Sequence, residues 1–104
     1  MAFHPLAHLH QLYDGYKQVF RVAGYELLLI QNEGKTFLIE NRCPHMDARL
    51  DTGDIAAEQT LRCRVHGIAF DLYSGKAQGP LGDSIDCLRR FTLVYQGNQL
   101  GVDL

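Results

Sequence analysis

The sequence predicts a single all-β domain, an antiparallel sandwich or partly open barrel with polar loops inserted between its strands. Three observations support this fold class. The chain has 104 residues, the length of one domain, and its 46% hydrophobic content is enough for a core. Its apolar residues occur in short runs that are rich in Val, Ile, Leu and Phe and are separated by Gly-containing turns. No segment of the length of a stable helix carries a sustained apolar stripe.

The strand candidates follow one another along the chain and are bounded by turn residues. They are predicted at 18–22, 25–31, 35–40, 67–75, 90–95 and 99–103. The pairs Ala23-Gly24 and Gly97-Asn98 are typical of tight hairpin connections. Residues 8–13 and 46–50 each have room for one helical turn at most. The chain contains no internal repeat, low-complexity tract or linker.

Charge and composition exclude several classes of function. A net charge of -2 and a pI near 6.2 give no electrostatic footprint for nucleic acid or for an anionic membrane. The longest apolar run, at 27–30, is too short to span a bilayer, and the N-terminus lacks the features of a signal peptide. The odd count of three cysteines is a poor disulfide framework. We therefore expect a cytoplasmic protein.

Two short polar loops contain the residues that point to a metal. The first reads N-R-C-P-H-M-D-A-R-L and places Cys43 and His45 on either side of Pro44. The second reads L-R-C-R-V-H-G and contains Cys63 and His66. Zinc is the plainer alternative, because two thiolates and two imidazoles form a common tetrahedral site. Zinc knuckles, however, usually pair Cys with Cys and His with His. A mixed pair in each loop favours a centre of two metal atoms, one bound by both thiolates and the other by both imidazoles.

The doubled motif resembles the Rieske pattern, Cys-x-His followed by Cys-x-x-His, which binds a [2Fe–2S] cluster. The resemblance covers essentially the whole chain, 1–104, as a single domain. Within that family the chain is similar to the ferredoxin branch. It implies an antiparallel β sandwich with a small cluster-binding subdomain, formed by loops at about 41–50, 61–70 and 79–82. The other residues that carry the resemblance are Asp14-Gly15, Glu40-Asn41-Arg42, Leu50, Gly53, Phe70-Asp71, Ser74-Gly75 and Gly79-Pro80.

The resemblance implies one [2Fe–2S] cluster per chain, with Cys43 and Cys63 on the inner iron and His45 and His66 on the outer one. It implies a monomeric one-electron carrier with no catalytic residues of its own. Such a carrier takes electrons from a flavin-containing reductase and passes them to a terminal oxygenase docked at the His45/His66 edge. Two alternatives stay open at this point. One is a small subunit of a larger reductase such as assimilatory nitrite reductase, and the other is a zinc-stabilised interaction module.

Departures from the high-potential members of the family predict a low reduction potential. Those proteins carry an extra cysteine in each loop, and the two form a disulfide; Ala48 and Val65 stand at these positions here, so that bridge is absent. Ile68 stands where they carry a serine whose hydroxyl donates to a cluster sulfur. With fewer donors to the sulfurs, the reduced cluster is less stabilised, and we expect a potential of about -150 mV.

The remaining candidates have a plain interpretation and a functional one. We expect Cys87 to be a buried spacer, with a redox sensor as the alternative, and His4, His8 and His10 to be polar positions near an edge, with metal binding as the alternative. Phe70 and Tyr73 are expected to pack under the loops. Around the two motifs lie four arginines, Arg42, Arg49, Arg62 and Arg64. They form either a solvated rim balanced by Asp47 and Asp51, or docking contacts for an acidic partner, with Arg64 the first candidate.

Overall fold

The computed structural model describes residues 2–44, 48–56, 58–64, 67–79 and 85–104. These parts of the chain contain ten β-strands in three antiparallel sheets. One 3-10 turn, Leu9–Gln11, is the helical element in these parts. No helix in them is long and apolar enough to cross a membrane. The strands are β1 (Phe3–His8), β2 (Tyr16–Val22), β3 (Tyr25–Asn32), β4 (Lys35–Glu40), β5 (Asp54–Ala56), β6 (Thr60–Arg62), β7 (Ala69–Asp71), β8 (Arg90–Phe91), β9 (Leu93–Gln96) and β10 (Gln99–Asp103).

The central sheet has the order β2-β3-β4-β8, and its first three strands form a meander. Each of its two hairpins closes through a two-residue turn in which both residues have positive φ. These turns are Ala23-Gly24 (φ 50° and 85°) and Glu33-Gly34 (φ 51° and 75°). Positive φ at both positions is the requirement of the type I′ turn, whose twist matches that of the flanking strands. The turn residues therefore fix the register of this sheet.

The central sheet is buried on both faces, which explains the unbroken apolar run in β3. Leu28 and Ile30 face one core, together with Phe70 and both Cys43 and Cys63. Alternate residues of the same strand face the other way, because side chains of a strand point to opposite sides of the sheet. The second core contains Ala7, Leu27, Leu29, Leu38, Leu100 and Val102.

The other two sheets cover these two faces. The sheet β1-β10-β9 provides the second core, with β10 in the middle and the Gly97-Asn98 turn joining β9 to β10. The sheet β5-β6-β7 belongs to the first core. The loop with the first Cys/His motif connects β4 to β5, and the loop with the second connects β6 to β7. Both candidate loops thus lie at the small third sheet.

The predicted all-β fold class is confirmed, and the predicted strands at 18–22, 25–31, 35–40 and 99–103 coincide with strands of the structure to within two residues. The strand predicted at 67–75 is limited to Ala69–Asp71, because residues 72–74 form a turn. The strand predicted at 90–95 is divided at Thr92, since Arg90–Phe91 pairs with β4 and Leu93–Gln96 pairs with β10.

Strands β1, β5 and β6 were not predicted; two have only three residues, and β1 contains Pro5, which is tolerated at a sheet edge. The helical turn allowed at 8–13 is the 3-10 turn. Of the turn allowed at 46–50, residues 46 and 47 lie outside the described residues, and 48–50 are not helical.

Candidate metal centre

The two cysteines of the motifs share one buried environment. Cys43 and Cys63 are each 1% exposed, and both belong to the core cluster that contains Leu50 and Phe70. Neither is in a disulfide. The apolar side chains around them exclude water from the sulfur side of both loops. Two buried thiols of this kind are suitable ligands for iron or zinc, which bind cysteine as the thiolate.

Each of the two loops is closed by a backbone hydrogen bond, and the two bonds have the same spacing along the chain. The Cys43 N–H donates to the carbonyl of Ala48 at 2.7 Å, and the Cys63 N–H donates to the carbonyl of Ile68 at 2.8 Å. Each bond joins a cysteine to the residue five positions later, so each ring encloses the histidine of its motif. Two loops with the same closure and a buried cysteine at the same place fit a centre that takes a Cys/His pair from each.

The predicted histidine ligands, His45 and His66, lie outside the described residues, as do Asp47 and residues 80–84. Within the parts of the chain that are described, no group of three or more His, Cys, Asp or Glu residues is placed to hold a metal ion. Most of the third predicted loop, 79–82, also lies outside. The segment that leads into this third loop lies alongside β7, because the Gln78 N–H donates to the carbonyl of Ala69 at 2.8 Å.

Asn41 closes the base of the first loop. Its side chain is buried, and its Oδ1 accepts the N–H groups of Leu50 at 2.9 Å and of Asp51 at 2.8 Å. Its Nδ2 donates to Glu26 at 2.8 Å and to the Asp51 carboxylate at 3.0 Å. All the polar groups of this amide are therefore used, and they join the start of the loop to its end.

Charged side chains hold the far end of the same loop. Arg49 pairs with Glu26 at 3.2 Å and with Asp51 at 3.0 Å. The hydrogen bond from Asn41, followed by the bond and the charge of Arg49, lowers the pKa of the Asp51 carboxyl against the opposing effect of burial. The Lys17 ammonium on β2 donates to the carbonyls of Asp51 and Gly53. The loop is thus attached to the central sheet at both ends.

The second loop is closed around Gly67, the residue after His66. Gly67 has φ 66°, a conformation that favours glycine, and its N–H donates to the Cys63 carbonyl at 2.8 Å. Its own carbonyl accepts a hydrogen bond from the Arg62 guanidinium at 2.7 Å. Two bonds to one residue therefore close the segment that contains Cys63 and His66.

The bases of the two loops touch each other at Gly53. A Cβ built on Gly53 lies 2.5 Å from the carbonyl oxygen of Arg62 and 3.1 Å from that of Leu50. Real side chains do not approach this closely, so only glycine fits. The close contact fixes the end of the first loop against the start of the second.

Three of the four arginines of the rim contact acidic side chains of the protein itself. Arg42 pairs with Glu40 at 3.8 Å, and Arg64 pairs with Asp54 at 3.2 Å. With Arg49 on Glu26 and Asp51, this supports the solvated rim. Asp51 is one of the two balancing acids predicted, whereas the other, Asp47, lies outside the described residues. That some of these arginines, Arg64 first, dock an acidic partner stays a prediction.

The prediction that Cys87 is a buried spacer is wrong. Its side chain is exposed and lines a surface pocket of about 320 Å³ together with Pro44, Arg42 and Arg89. Residues 86–89 are not in a strand, so no sheet face carries Cys87 into the core with its apolar neighbours. Leu88 alone of that segment is fully buried, at 3% exposure.

The aromatic and histidine predictions have mixed outcomes. Phe70 is fully buried beneath the loops as expected. The prediction that Tyr73 packs under the loops is wrong, since Tyr73 is 53% exposed and packs edge to face on Phe37, outside the core. His8 and His10 stack with their ring centroids 5.4 Å apart at the end of β1, and His4 is half-buried within that strand.

Sequence reasoning missed three residues that hold the loops, Lys17, Asn41 and Arg62. Asn41 was noted within the family pattern, and Arg62 was noted as part of the rim, but neither was given its contact. The proximity of Asn41 and Arg62 to the cysteines is the one signal that the sequence offers for them. The sequence offers no such signal for Lys17, because its partners lie more than thirty residues away in the chain.

Comparison with known proteins gives a consistent result. The model of the Rieske [2Fe-2S] domain family matches residues 2–89. The ferredoxin component of the alkene monooxygenase system of Xanthobacter autotrophicus is 30% identical over 89 residues, which cover 86% of this chain and 70% of the relative. The ferredoxin component of the naphthalene 1,2-dioxygenase system of Pseudomonas aeruginosa is 27% identical over 97 residues, 92% and 89% of the two chains. Among solved structures, the ferredoxin of carbazole 1,9a-dioxygenase from Nocardioides aromaticivorans superimposes with a TM-score of 0.83 at 27% identity, covering 98% of this chain and 97% of that one.

Proposed function

Because this chain belongs to the Rieske [2Fe–2S] domain family, we propose that it is a one-electron carrier whose cluster is held by Cys43, Cys63, His45 and His66. When bound, a [2Fe–2S] cluster of this kind accepts and returns a single electron. The two cysteines bind one iron and the two histidines the other. The observation that carries the assignment is the pair of buried, unbridged cysteines in two loops with the same closing bond.

The residues of the chain bind the cluster and hold its surroundings still. The apolar core beneath Cys43 and Cys63 keeps water from the sulfur side. Asn41 and Arg62 close the two loops, and Gly53 sets their separation. Electron exchange is favoured where little has to move, and a site built on sheet strands meets this condition.

The direction of electron flow follows from the relatives, which are ferredoxin components of oxygenase systems. The protein takes electrons from a flavin-containing reductase and passes them to a terminal oxygenase, and it is not itself an enzyme. It docks transiently at the His45/His66 edge, as a monomer, through the small interface typical of electron-transfer partners. The relatives do not favour the alternative, a permanent subunit of a nitrite reductase.

Three further parts of the proposal concern the whole protein. Residues 1–104 form a single domain, with cluster-binding loops at about 41–50, 61–70 and 79–82. The protein works in the cytoplasm, where free cysteines such as Cys87 stay reduced. Its partners are proteins and not nucleic acid or membrane, in keeping with a net charge of -2.

The ligand assignment is tested by replacing cysteines one at a time. Cys43→Ser and Cys63→Ser should each abolish the visible absorption of the purified protein and reduce bound iron from two atoms per chain to none, because each removes a ligand from a buried site. Cys87→Ser is the matched control, and it should retain full colour and iron. Iron and acid-labile sulfide assays with visible spectra measure both.

Two results would contradict the proposal. A colourless wild-type protein that contains zinc would exclude the redox function, and bleaching by Cys87→Ser would mean that the ligand set is wrong. Carrier activity is then measured with a flavin-containing reductase and an oxygenase from a relative's system. Substrate oxidation that depends on this protein is the expected outcome.

A further inference from the structure

Arg62 lies immediately before Cys63 and reaches across the second loop. Its Nη1 donates to the Gly67 carbonyl at 2.7 Å, although the side chain is exposed. Gly67 follows His66 in the chain. One hydrogen bond from a charged side chain therefore joins the two ends of the segment that contains both proposed ligands of this loop.

The backbone at both ends of this bond is fixed. Arg62 is the last residue of β6, where it pairs with Asp54 of β5 and with Ala69 of β7. At the other end, the Gly67 N–H donates to the Cys63 carbonyl at 2.8 Å. The guanidinium is thus held at a defined place beside the loop, and it does not extend freely into water.

Arg62 differs from the other rim arginines in what it contacts. Arg42, Arg49 and Arg64 each form an ion pair with a carboxylate of the protein. The partner of Arg62 is a neutral carbonyl, and no carboxylate in the described ranges forms an ion pair with it. Asp54, which is opposite Arg62 across β5 and β6, gives its carboxylate to Arg64 at 3.2 Å instead. Among the described residues, the positive charge of Arg62 is therefore held in place by a hydrogen bond and has no ion-pair partner.

We propose that Arg62 is a positioning residue that fixes an unpaired positive charge at the second loop and thereby raises the reduction potential of the centre. The inference rests on the proposed function, since it needs the cluster to be bound in these loops. An added electron makes the centre more negative, and a fixed cation nearby stabilises that state by Coulomb attraction. A mobile or paired cation at the same position has a weaker effect.

The test compares two variants that remove one positive charge each, Arg62→Gln and Lys35→Gln. Lys35 is exposed and begins β4, whereas the first loop follows the other end of that strand, about 17 Å away. Voltammetry of the loaded proteins at low salt should give a lower potential for Arg62→Gln than for wild type. Lys35→Gln should lower the potential less than Arg62→Gln does, because Coulomb attraction weakens with distance.

Salt separates the charge from any change in loop shape. The Debye length falls from about 30 Å at 0.01 M to about 3 Å at 1 M, so the difference between Arg62→Gln and wild type should shrink across this range. Arg62→Lys keeps the charge on a more mobile stem, and its potential should lie between the two at low salt and converge with wild type at high salt.

Each outcome of these measurements decides the proposal. Equal potentials for Arg62→Gln, Lys35→Gln and wild type would overturn it, and so would a shift that salt does not reduce. If Arg62→Gln does not bind iron, Arg62→Lys carries the test, and a potential at low salt equal to or above that of wild type overturns the inference. Absence of a cluster from the wild-type protein is a different failure, that of the proposed function.

Discussion

At the scale of the residue, one amide side chain does most to shape the first loop. Asn41 accepts hydrogen bonds from the N–H groups of Leu50 and Asp51, nine and ten residues later in the chain. Among the described residues, neither N–H has another hydrogen-bond acceptor of comparable geometry. Buried backbone N–H groups are costly to leave without an acceptor. The amide therefore substitutes for the regular strand pairing that a loop of this shape cannot make.

Asn41→Ala should lower the free energy of unfolding by about 3 kcal/mol, because it leaves two backbone donors without an acceptor at roughly 1–3 kcal/mol each. Denaturant unfolding of the loaded protein measures the change. Asn98→Ala is the matched control, since Asn98 is exposed in the β9–β10 turn. A loss for Asn41→Ala no greater than that of the control would mean that the loop does not depend on this amide.

The residues that were predicted and those that were not differ in where their partners lie. Cys43 and Cys63 were predicted because their histidines are two and three positions away, within one motif. The bond of Asn41 to Glu26 spans fifteen positions, and no local pattern reports it. Cys87 was placed wrongly because it stands between the apolar residues Ile85 and Leu88, and apolar neighbours in the chain do not fix which way a side chain outside a strand points.

At the scale of the element, the two Cys/His loops are spaced by a contact at Gly53. Gly53→Ala should lower the free energy of unfolding by about 1–3 kcal/mol and reduce the iron bound per chain, because the new Cβ would push β5 and β6 apart. Calorimetry and iron assays measure both effects. The neighbouring exposed Thr52 supplies the control, Thr52→Ala, and similar values for the two variants would contradict the steric argument.

The elements that the sequence predicted are those whose pairing is local. β2, β3 and β4 follow one another through two-residue turns, so their apolar runs and turn signals are adjacent in the chain. β5 and β6 have three residues each, too few for any periodicity to be visible. β1 pairs with β10 at the other end of the chain, and the sequence around His4 and Pro5 gives no indication of it.

At the scale of the whole molecule, the two cores should respond differently to loss of metal. One contains Cys43 and Cys63, and the other is formed by β10 and its neighbours without either cysteine. Because the proposed ligands would tie the two loops together through the metal, removing iron with acid and a chelator should release amide protection in β5, β6 and β7 first. Hydrogen exchange with mass spectrometry measures this, and the amides of β10 serve as the internal control. Equal loss in both regions would mean that the cores are one cooperative unit.

The shared central sheet also has a consequence for the order in which the protein is made. β2, β3 and β4 leave the ribosome together, and closing two-residue turns costs little chain entropy, so we expect this sheet to form early. β1, although synthesised first, has to wait for β10. The end with the two Cys/His loops and the terminal strands are then completed on opposite sides of a sheet that already exists. Delivery of iron by the cell and completion of the chain need not follow any fixed sequence in time.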